Sequence, residues 1–202
     1  MTFIDRQAAR VLLIDAADRA LLLRGGDPAR PGLQWWFTPG GGLDPDETPA
    51  AGAARELFEE TGLRVEPAEL GEPVHHEVTE FSYENRQYRQ EQDFFVLRVP
   101  EWQVDTSGFD PSERQTITDH RWWSAAELDA SDELIYPTDL ADLLRRACLA
   151  EPLEGAGLAE PLEGAGLAEP LEGAGLAEPL EGAGLAEPLE GAGLAEPLRG
   201  VR

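Results

Sequence analysis

The stretch from Gly41 to Leu63 reads GGLDPDETPAAGAARELFEETGL, and it is the most informative part of this 202-residue chain. Its second half predicts a helix over residues 49–61. Pro49 suits the first helical turn, the alanines favour helix, and Gly62 suits the C-terminal cap. Glycines at positions 40–42 allow the preceding loop to approach this helix closely. The pattern therefore indicates a loop, a helix and a second loop.

Three glutamates occupy one side of the predicted helix. Glu56, Glu59 and Glu60 are three and four residues apart, so their carboxylates share one face and repel one another. Divalent cations offset such repulsion, and carboxylate oxygens suit Mg²⁺ or Mn²⁺ rather than zinc or copper. A solvated acidic face is the alternative interpretation, and the glutamate spacing alone does not exclude it.

The whole stretch resembles the Nudix box, G-x5-E-x7-R-E-U-x-E-E-x-G-U, in which U is an aliphatic residue. The nine defined positions all match between Gly41 and Leu63. The likeness also covers the Pro39-Gly40-Gly41 approach and Arg121-Trp122-Trp123 followed by Glu127-Leu128, within a domain of about residues 5–147. The family consists mainly of hydrolases of nucleoside diphosphates linked to another moiety. Its fold is a mixed sheet sandwiched between helices.

This resemblance assigns roles to individual residues of the stretch. It implies metal-binding carboxylates at three helical positions, Glu56, Glu59 and Glu60. Glu47 matches an earlier glutamate that makes a further or water-mediated metal contact. Arg55 matches the arginine that orients the carboxylates through bidentate hydrogen bonds. Gly41 and Gly62 match the loop and cap glycines, and Mg²⁺ or Mn²⁺ is the implied cofactor.

The reaction implied by the resemblance is attack of water on a diphosphate. Metal ions lower the pKa of a bound water and stabilise charge on the leaving phosphate, while a carboxylate accepts the proton. The residues assigned to catalysis are Glu59, Glu60, Arg55 and Glu113. In this family the base is a box glutamate or one on a later loop. Glu113 is our loop candidate, and Glu91 and Asp93 are the alternatives.

Substrate contacts are predicted next to the box. Gly40 and Gly41 approach the glutamates, and Arg24 follows an apolar strand from which it can reach a phosphate or form a solvent salt bridge. Trp36, between Trp35 and Phe37, is a candidate for stacking on a nucleobase; core packing of a strand is the alternative. His75 and His76 are adjacent on a predicted strand, so they face opposite ways and do not easily share a metal.

The set of possible substrates is narrowed only by eliminating classes whose sequence signatures are absent. The Pro-Lys-Gly-His approach of dinucleoside polyphosphate hydrolases is replaced here by Pro39 and three glycines, and the proline typical of ADP-sugar hydrolases is replaced by Val78. A nucleoside triphosphate or a small nucleoside diphosphate derivative is therefore favoured. The alternative function is a Nudix-fold nucleotide or metabolite sensor that binds without cleaving. Association of the chain into a homodimer is a further possibility that the sequence neither requires nor excludes.

Charge and composition limit the partners. The formal net charge is −24, and residues 149–202 contribute eleven Glu and two Arg to it. Such a surface repels nucleic acid and anionic membranes, so neither is an expected partner. No stretch has the roughly 18 apolar residues of a membrane helix. Cys148 is the single cysteine, which excludes an internal disulfide, and we expect a cytoplasmic protein.

Alternating element signals predict a mixed α/β (α+β) fold for residues 1–148. Predicted strands cover residues 8–14, 20–23, 35–38, 74–83, 89–99 and 119–124. Ser124 is predicted to cap a short helix, and residues 139–148 form a closing amphipathic helix.

A nine-residue unit, LAEPLEGAG, repeats from Leu149 to the end of the chain. Each of the five full units carries one Pro and two Gly, a truncated copy follows from Leu194, and aromatic residues are absent from all of them. Pro and Gly disfavour a long helix and the unit cannot form a core of its own, so residues 149–202 are predicted to be a disordered acidic tail. A docking arm with spaced leucines or a short solenoid is the alternative.

Overall fold

The computed structural model describes residues 2–149. The predicted tail, apart from Leu149, lies outside the described residues. Within residues 2–149, every helix is too short or too polar to cross a bilayer.

Eight strands and four α-helices follow one another along the described chain. The strands are β1 (Ile4–Ile14), β2 (Arg19–Gly26), β3 (Gln34–Phe37), β4 (Gly40–Gly42), β5 (His75–Tyr83), β6 (Arg86–Arg98), β7 (Asp119–Ser124) and β8 (Ile135–Tyr136). The helices are α1 (Pro49–Thr61), α2 (Glu113–Thr116), α3 (Ala125–Ala130) and α4 (Leu140–Leu149). Two 3-10 helices, Pro67–Leu70 and Thr106–Gly108, complete the elements.

All eight strands belong to one mixed sheet with β1 near its centre. The main order is β5-β6-β1-β2-β3-β8, with β4 paired to β1 and β7 paired to β2. β1 runs parallel to β6 along its whole length, from Ile4 opposite Tyr88 to Ile14 opposite Arg98. On its other side, β1 pairs antiparallel with β4 through Ala8 to Arg10, and with β2 at Ile14. Strands β4 and β2 therefore pair with different parts of the same edge of β1.

Successive residues of β1 face two separate hydrophobic cores, as the two-residue period of a strand requires. Val11 and Leu13 pack on the side of α1. Leu12 and Ile14 pack on the side of α3 and α4. The sheet thus lies between helices, and the predicted α/β (α+β) sandwich is confirmed.

Most predicted elements are present, but two short strands were missed. The glycines at 40–42, predicted as a loop, form β4 because the central strand β1 supplies hydrogen-bonding partners. Gly40 has φ 126°, and an added Cβ would lie 2.2 Å from the carbonyl oxygen of Ala9, so only glycine fits. The strand β8 escaped prediction because two residues are too few to show a period.

Candidate active site

Helix α1 carries the glutamates; Pro49 and Gly62 take their predicted places at its two ends, and Thr48, which was not predicted, caps its N-terminus. Thr48 accepts a hydrogen bond from the Ala51 N–H at 3.3 Å, and Pro49 occupies the first helical turn. Gly62 has φ 75°, a left-handed cap, and its N–H donates to the Phe58 carbonyl at 2.8 Å. The caps fix where α1 begins and ends, and therefore which side chains face the sheet.

Arg55 connects the loop before α1 to the carboxylates on it. Its guanidinium donates two hydrogen bonds of 3.0 Å to the two oxygens of Glu47. It also donates to Glu56 at 2.9 Å, to Glu59 at 3.1 Å and to the Gly42 carbonyl at 3.0 Å. These bonds lower the pKa of Glu47 and raise that of Arg55. The arrangement is the orienting one that the sequence resemblance implied for Arg55.

Glu60 lies deepest in the site and contacts the glycine approach directly. It is 3% exposed, and its Oε2 accepts the Gly40 N–H at 2.6 Å. Gly41 passes so close to Glu56 that an added Cβ would lie 2.5 Å from the Glu56 Oε1. A side chain at Gly41 would therefore displace the Glu56 carboxylate, whereas at Gly40 it would meet the backbone of Ala9.

Glu113, which lies far beyond α1 in the sequence, joins these two glutamates from the first turn of α2. Carboxylate oxygens of Glu56, Glu60 and Glu113 lie within 4.8 Å of one another. Glu113 is held in place because it accepts the Asp110 N–H at 2.7 Å. We call Glu56, Glu60 and Glu113 the acidic triad.

Burial and like charges shift the pKa values of the triad in one direction. Burial raises the pKa of Glu60 well above its ordinary value, and the Glu56 charge raises it further. Burial also raises the pKa of Glu56, against the opposing effect of Arg55. The pKa of Glu113 is raised by burial and by nearby carboxylates. Three crowded oxygen donors that resist ionisation together are suited to a hard divalent cation such as Mg²⁺ or Mn²⁺.

The composition of the triad differs from the three helical glutamates predicted together. Glu56 and Glu60, four residues apart, point to the same place as expected from helical geometry. Glu59 has a 40% exposed side chain and bonds Arg55, outside the triad. Glu47 likewise turns toward Arg55. Metal contacts by Glu59 and Glu47 stay predictions.

The two alternative bases lie away from the triad contacts. Glu91 is exposed on β6 and lines an open groove with Asp5, Asp44 and Arg89. Asp93 bonds His76 Nδ1 at 2.8 Å on the exposed part of β5 and β6. Of the three candidates, Glu113 is the one that contacts the box glutamates.

Trp36 and Arg24, the candidate substrate residues on strands, are held by contacts within the protein. Trp36 is 3% exposed, its indole N–H donates to Glu133 at 2.7 Å, and its ring meets Trp123 edge to face. It therefore presents no free ring face to a nucleobase, and core packing explains it. Arg24 forms a salt bridge with Glu133 at 3.4 Å and lies over the Trp36 ring. Of the two interpretations of Arg24, the salt bridge agrees with these contacts better than a phosphate contact does.

Sequence reasoning overlooked two arginines of β1. Arg10 donates to the carbonyls of Gly40 and Thr38 and to the Gln92 side chain. The Gly40 peptide is therefore bonded at its oxygen by Arg10 and at its N–H by Glu60. Arg6 lies over the Phe81 ring, 5.6 Å from its centroid. The available signal for Arg10 was a cation inside the otherwise apolar run of residues 8–14; Arg6 precedes that run and had no such signal.

Comparison with known proteins identifies a family and several relatives. The NUDIX domain family model matches residues 5–145. A MutT-like protein of Streptomyces ambofaciens is 63% identical over 35 residues, 17% of this chain and 23% of that protein. Diphosphoinositol polyphosphate phosphohydrolase 3-beta of Bos taurus is 52% identical over 29 residues, 14% of this chain and 18% of that protein. These matches span less than a quarter of either relative.

Among solved structures, one similar fold is that of a bifunctional NMN adenylyltransferase/ADP ribose pyrophosphatase from Francisella tularensis, complexed with AMP and a manganese ion. The two chains are 20% identical with a TM-score of 0.52, over 72% of this chain and 43% of that one. At this identity the likeness shows a shared fold.

Proposed function

Because this chain belongs to the Nudix hydrolase family, we propose that it hydrolyses a diphosphate bond in a nucleotide-derived substrate with Mg²⁺ or Mn²⁺. The observation that carries the proposal is the convergence of Glu56, Glu60 and Glu113, whose oxygens lie within 4.8 Å of one another. Two of these carboxylates are buried, so an ionised triad is unfavourable without a bound cation.

Glu56 and Glu60 of the acidic triad would hold the divalent ion, with Glu113 beside it, and the surrounding hydrogen bonds fix the two carboxylates in place. A bound Mg²⁺ or Mn²⁺ supplies an activated water and neutralises charge on the leaving phosphate. Arg55 fixes the Glu56 carboxylate, and the Gly40 N–H fixes that of Glu60. These hydrogen bonds form without substrate, so the site is preorganised and reorganises little during the reaction.

Glu113 is the general base that the geometry favours. Its pKa is raised by burial and by neighbouring carboxylates, which makes it a better proton acceptor than an ordinary surface glutamate. It stands on a separate helix from Glu56 and Glu60, and its carboxylate lies within 4.8 Å of theirs, next to the place where a metal-bound water would be held.

For the substrate, we propose a nucleoside triphosphate or another nucleoside diphosphate derivative. The Bos taurus relative is named for diphosphoinositol polyphosphate hydrolysis and the Francisella tularensis protein for ADP ribose. Both names describe phosphorylated compounds, which is the class that a cation-binding acidic site serves. The strong negative charge of the chain makes the cation necessary, because it repels a free anionic substrate.

The test is turnover of a nucleotide panel by purified protein in Mg²⁺ and in Mn²⁺, read as release of nucleoside monophosphate. We expect at least one nucleotide to be cleaved and EDTA to stop the reaction. Binding of a nucleotide, with no turnover under any divalent ion, would replace this proposal with the sensor function.

A further inference from the structure

A second group of ligand-type side chains lies where β5 meets the start of α4. Single ligand atoms of His75, Glu77 and Asp139 come within 4.8 Å of one another. His75 and Glu77 are two residues apart on β5 and so share a face of the strand. Asp139 immediately precedes α4. The group therefore joins two elements that are distant from each other in the sequence.

His75 contributes the observation that points to a ligand. Its Nε2 is buried and, within residues 2–149, has no hydrogen-bond partner. Buried polar atoms are almost always bonded, so an unpartnered imidazole nitrogen requires an explanation. This Nε2 lies 3.9 Å from Glu77 Oε2. A tetrahedral ion with bonds of about 2.0–2.1 Å holds two ligand atoms about 3.3–3.4 Å apart, so a side-chain shift of about half an ångström brings this pair onto one ion.

Neighbouring residues orient the side chains of His75 and Glu77. The His75 ring packs against Phe94 with centroids 5.4 Å apart. Gln92 donates to Glu77 Oε1, which leaves Oε2 facing His75. The Asp139 carbonyl accepts two helical N–H bonds of 3.0 Å, from Asp142 and Leu143, which fix its backbone; its carboxylate is 47% exposed and lies 3.9 Å from Arg146. Such supporting contacts are typical of metal ligands, whose second partners fix the side chain.

We propose that His75, Glu77 and Asp139 bind a divalent transition-metal cation of the Zn²⁺ class, separate from the acidic triad. The triad offers oxygen only, which suits hard ions, whereas an imidazole nitrogen with two carboxylates suits a borderline ion. The bound ion ties edge strand β5 to the first turn of α4. Its expected effect is therefore on stability of this part of the domain.

The experiment uses the full chain, stripped with EDTA and dialysed against Zn²⁺ in the presence of excess Mg²⁺. We expect one Zn²⁺ per chain that Mg²⁺ does not displace. At a free Zn²⁺ concentration a hundredfold above Kd, Tm should rise by about 5–10 °C. His75→Ala should weaken binding at least about a hundredfold, since loss of an orienting partner alone costs about 10–100-fold.

His76→Ala is the matched control, because His76 is the next residue on β5 but bonds Asp93 instead. It should bind Zn²⁺ as the wild type does, and so should Glu60→Gln, which alters only the acidic triad. Asp139→Asn keeps the shape of its side chain and covers the case that His75→Ala fails to fold; it too should bind weakly. Absence of Zn²⁺ binding in excess Mg²⁺, or equal losses in His75→Ala and His76→Ala, would overturn the proposal.

Discussion

Replacing Glu60 with Gln should stabilise the metal-free protein while destroying activity. The Glu60 carboxylate is 3% exposed, accepts the Gly40 N–H, and makes no salt bridge within residues 2–149. Replacing buried ionised groups by neutral ones of similar volume is stabilising by about 1–4 kcal/mol in favourable cases. Glutamine keeps the acceptor, but the bond loses its charge assistance, a loss of about 1 kcal/mol. The net gain is therefore about 0–3 kcal/mol, or up to about 10 °C in Tm.

The same substitution removes one of the charges that would hold the divalent ion. We expect kcat/KM to fall at least about a hundredfold, which corresponds to about 2.7 kcal/mol of transition-state stabilisation. Stability is measured by thermal unfolding in EDTA at a pH above neutrality, and activity by nucleotide turnover in Mg²⁺. Glu59→Gln is the matched control for stability. It makes the same charge change on α1, but its 40% exposed side chain limits the effect to about 1 kcal/mol or less.

The pH dependence of stability provides an independent measurement on Glu60. Because its pKa is raised in the folded protein, the folded state binds this proton more tightly than the unfolded chain does. Its contribution is complete below the pKa of an unfolded glutamate, about 4.3, and is lost as pH rises through the folded pKa. Metal-free Glu60→Gln should show a flatter decline than the wild type. A lower Tm at every pH, or activity near that of the wild type, would refute the reasoning.

Four further changes test other parts of the structure. Arg55→Lys should lower kcat/KM by about 10–100-fold with the fold retained, as measured by steady-state kinetics, because a lysine cannot make the bidentate bonds to Glu47. Glu113→Gln should lower kcat by about 10²–10⁴-fold and change the acidic limb of the pH–rate profile. Gly40→Ala should lower Tm strongly, with a loss of about 3 kcal/mol or more, because its Cβ meets backbone. Truncation after Cys148 should leave Tm and kcat within error, as expected of a tail that does not dock.

Each of these four changes has a control variant or an outcome that would contradict it. Arg64→Lys changes an arginine stacked on Phe58, and it should leave kcat unaltered. Glu91→Gln should keep the wild-type pH profile; an equal loss in both glutamine variants would remove Glu113 as base. Gly42 has 3.9 Å of clearance around an added Cβ, so Gly42→Ala should unfold near the wild-type temperature. Lower stability of the truncated chain would favour the docking arm.

Local sequence signals were sufficient to predict the elements whose geometry is determined by residues close together in the chain. The caps of α1 were predictable because Thr48, Pro49 and Gly62 each act within one helical turn. The strand β1 was predictable in its apolar part, residues 8–14, but it begins earlier, at Ile4. Residues 5–7 are polar, and they belong to the strand because β6 supplies a parallel partner. Pairing between distant segments overrides local propensity, which a single sequence does not display.

The candidate active site likewise has a part that local sequence predicts and a part that it does not. The spacing of Glu56 and Glu60 is enough to place them together, since residues four apart on a helix are neighbours. The outward turn of Glu59 depends on where the Arg55 guanidinium lies, and that depends on Glu47 in the preceding loop. The approach of Glu113 depends on tertiary packing between segments that are far apart in the chain. Contacts of this kind can be inferred from the pattern of a known family or seen in a structure, but the spacing of residues in one sequence does not predict them.

The long parallel pairing of β1 with β6 has a consequence for how the chain folds during synthesis. Its first paired residues are Ile4, near the start of the chain, and Tyr88, so this central pairing cannot begin until most of the domain has left the ribosome. Pairings of high sequence separation are slow to form. Until then the apolar side chains of β1, among them Leu12 and Ile14, lack their partners on one side. A strand that is made before its partner β6 is thus among the last to be enclosed, and its apolar side chains are open to aggregation until β6 has been synthesised.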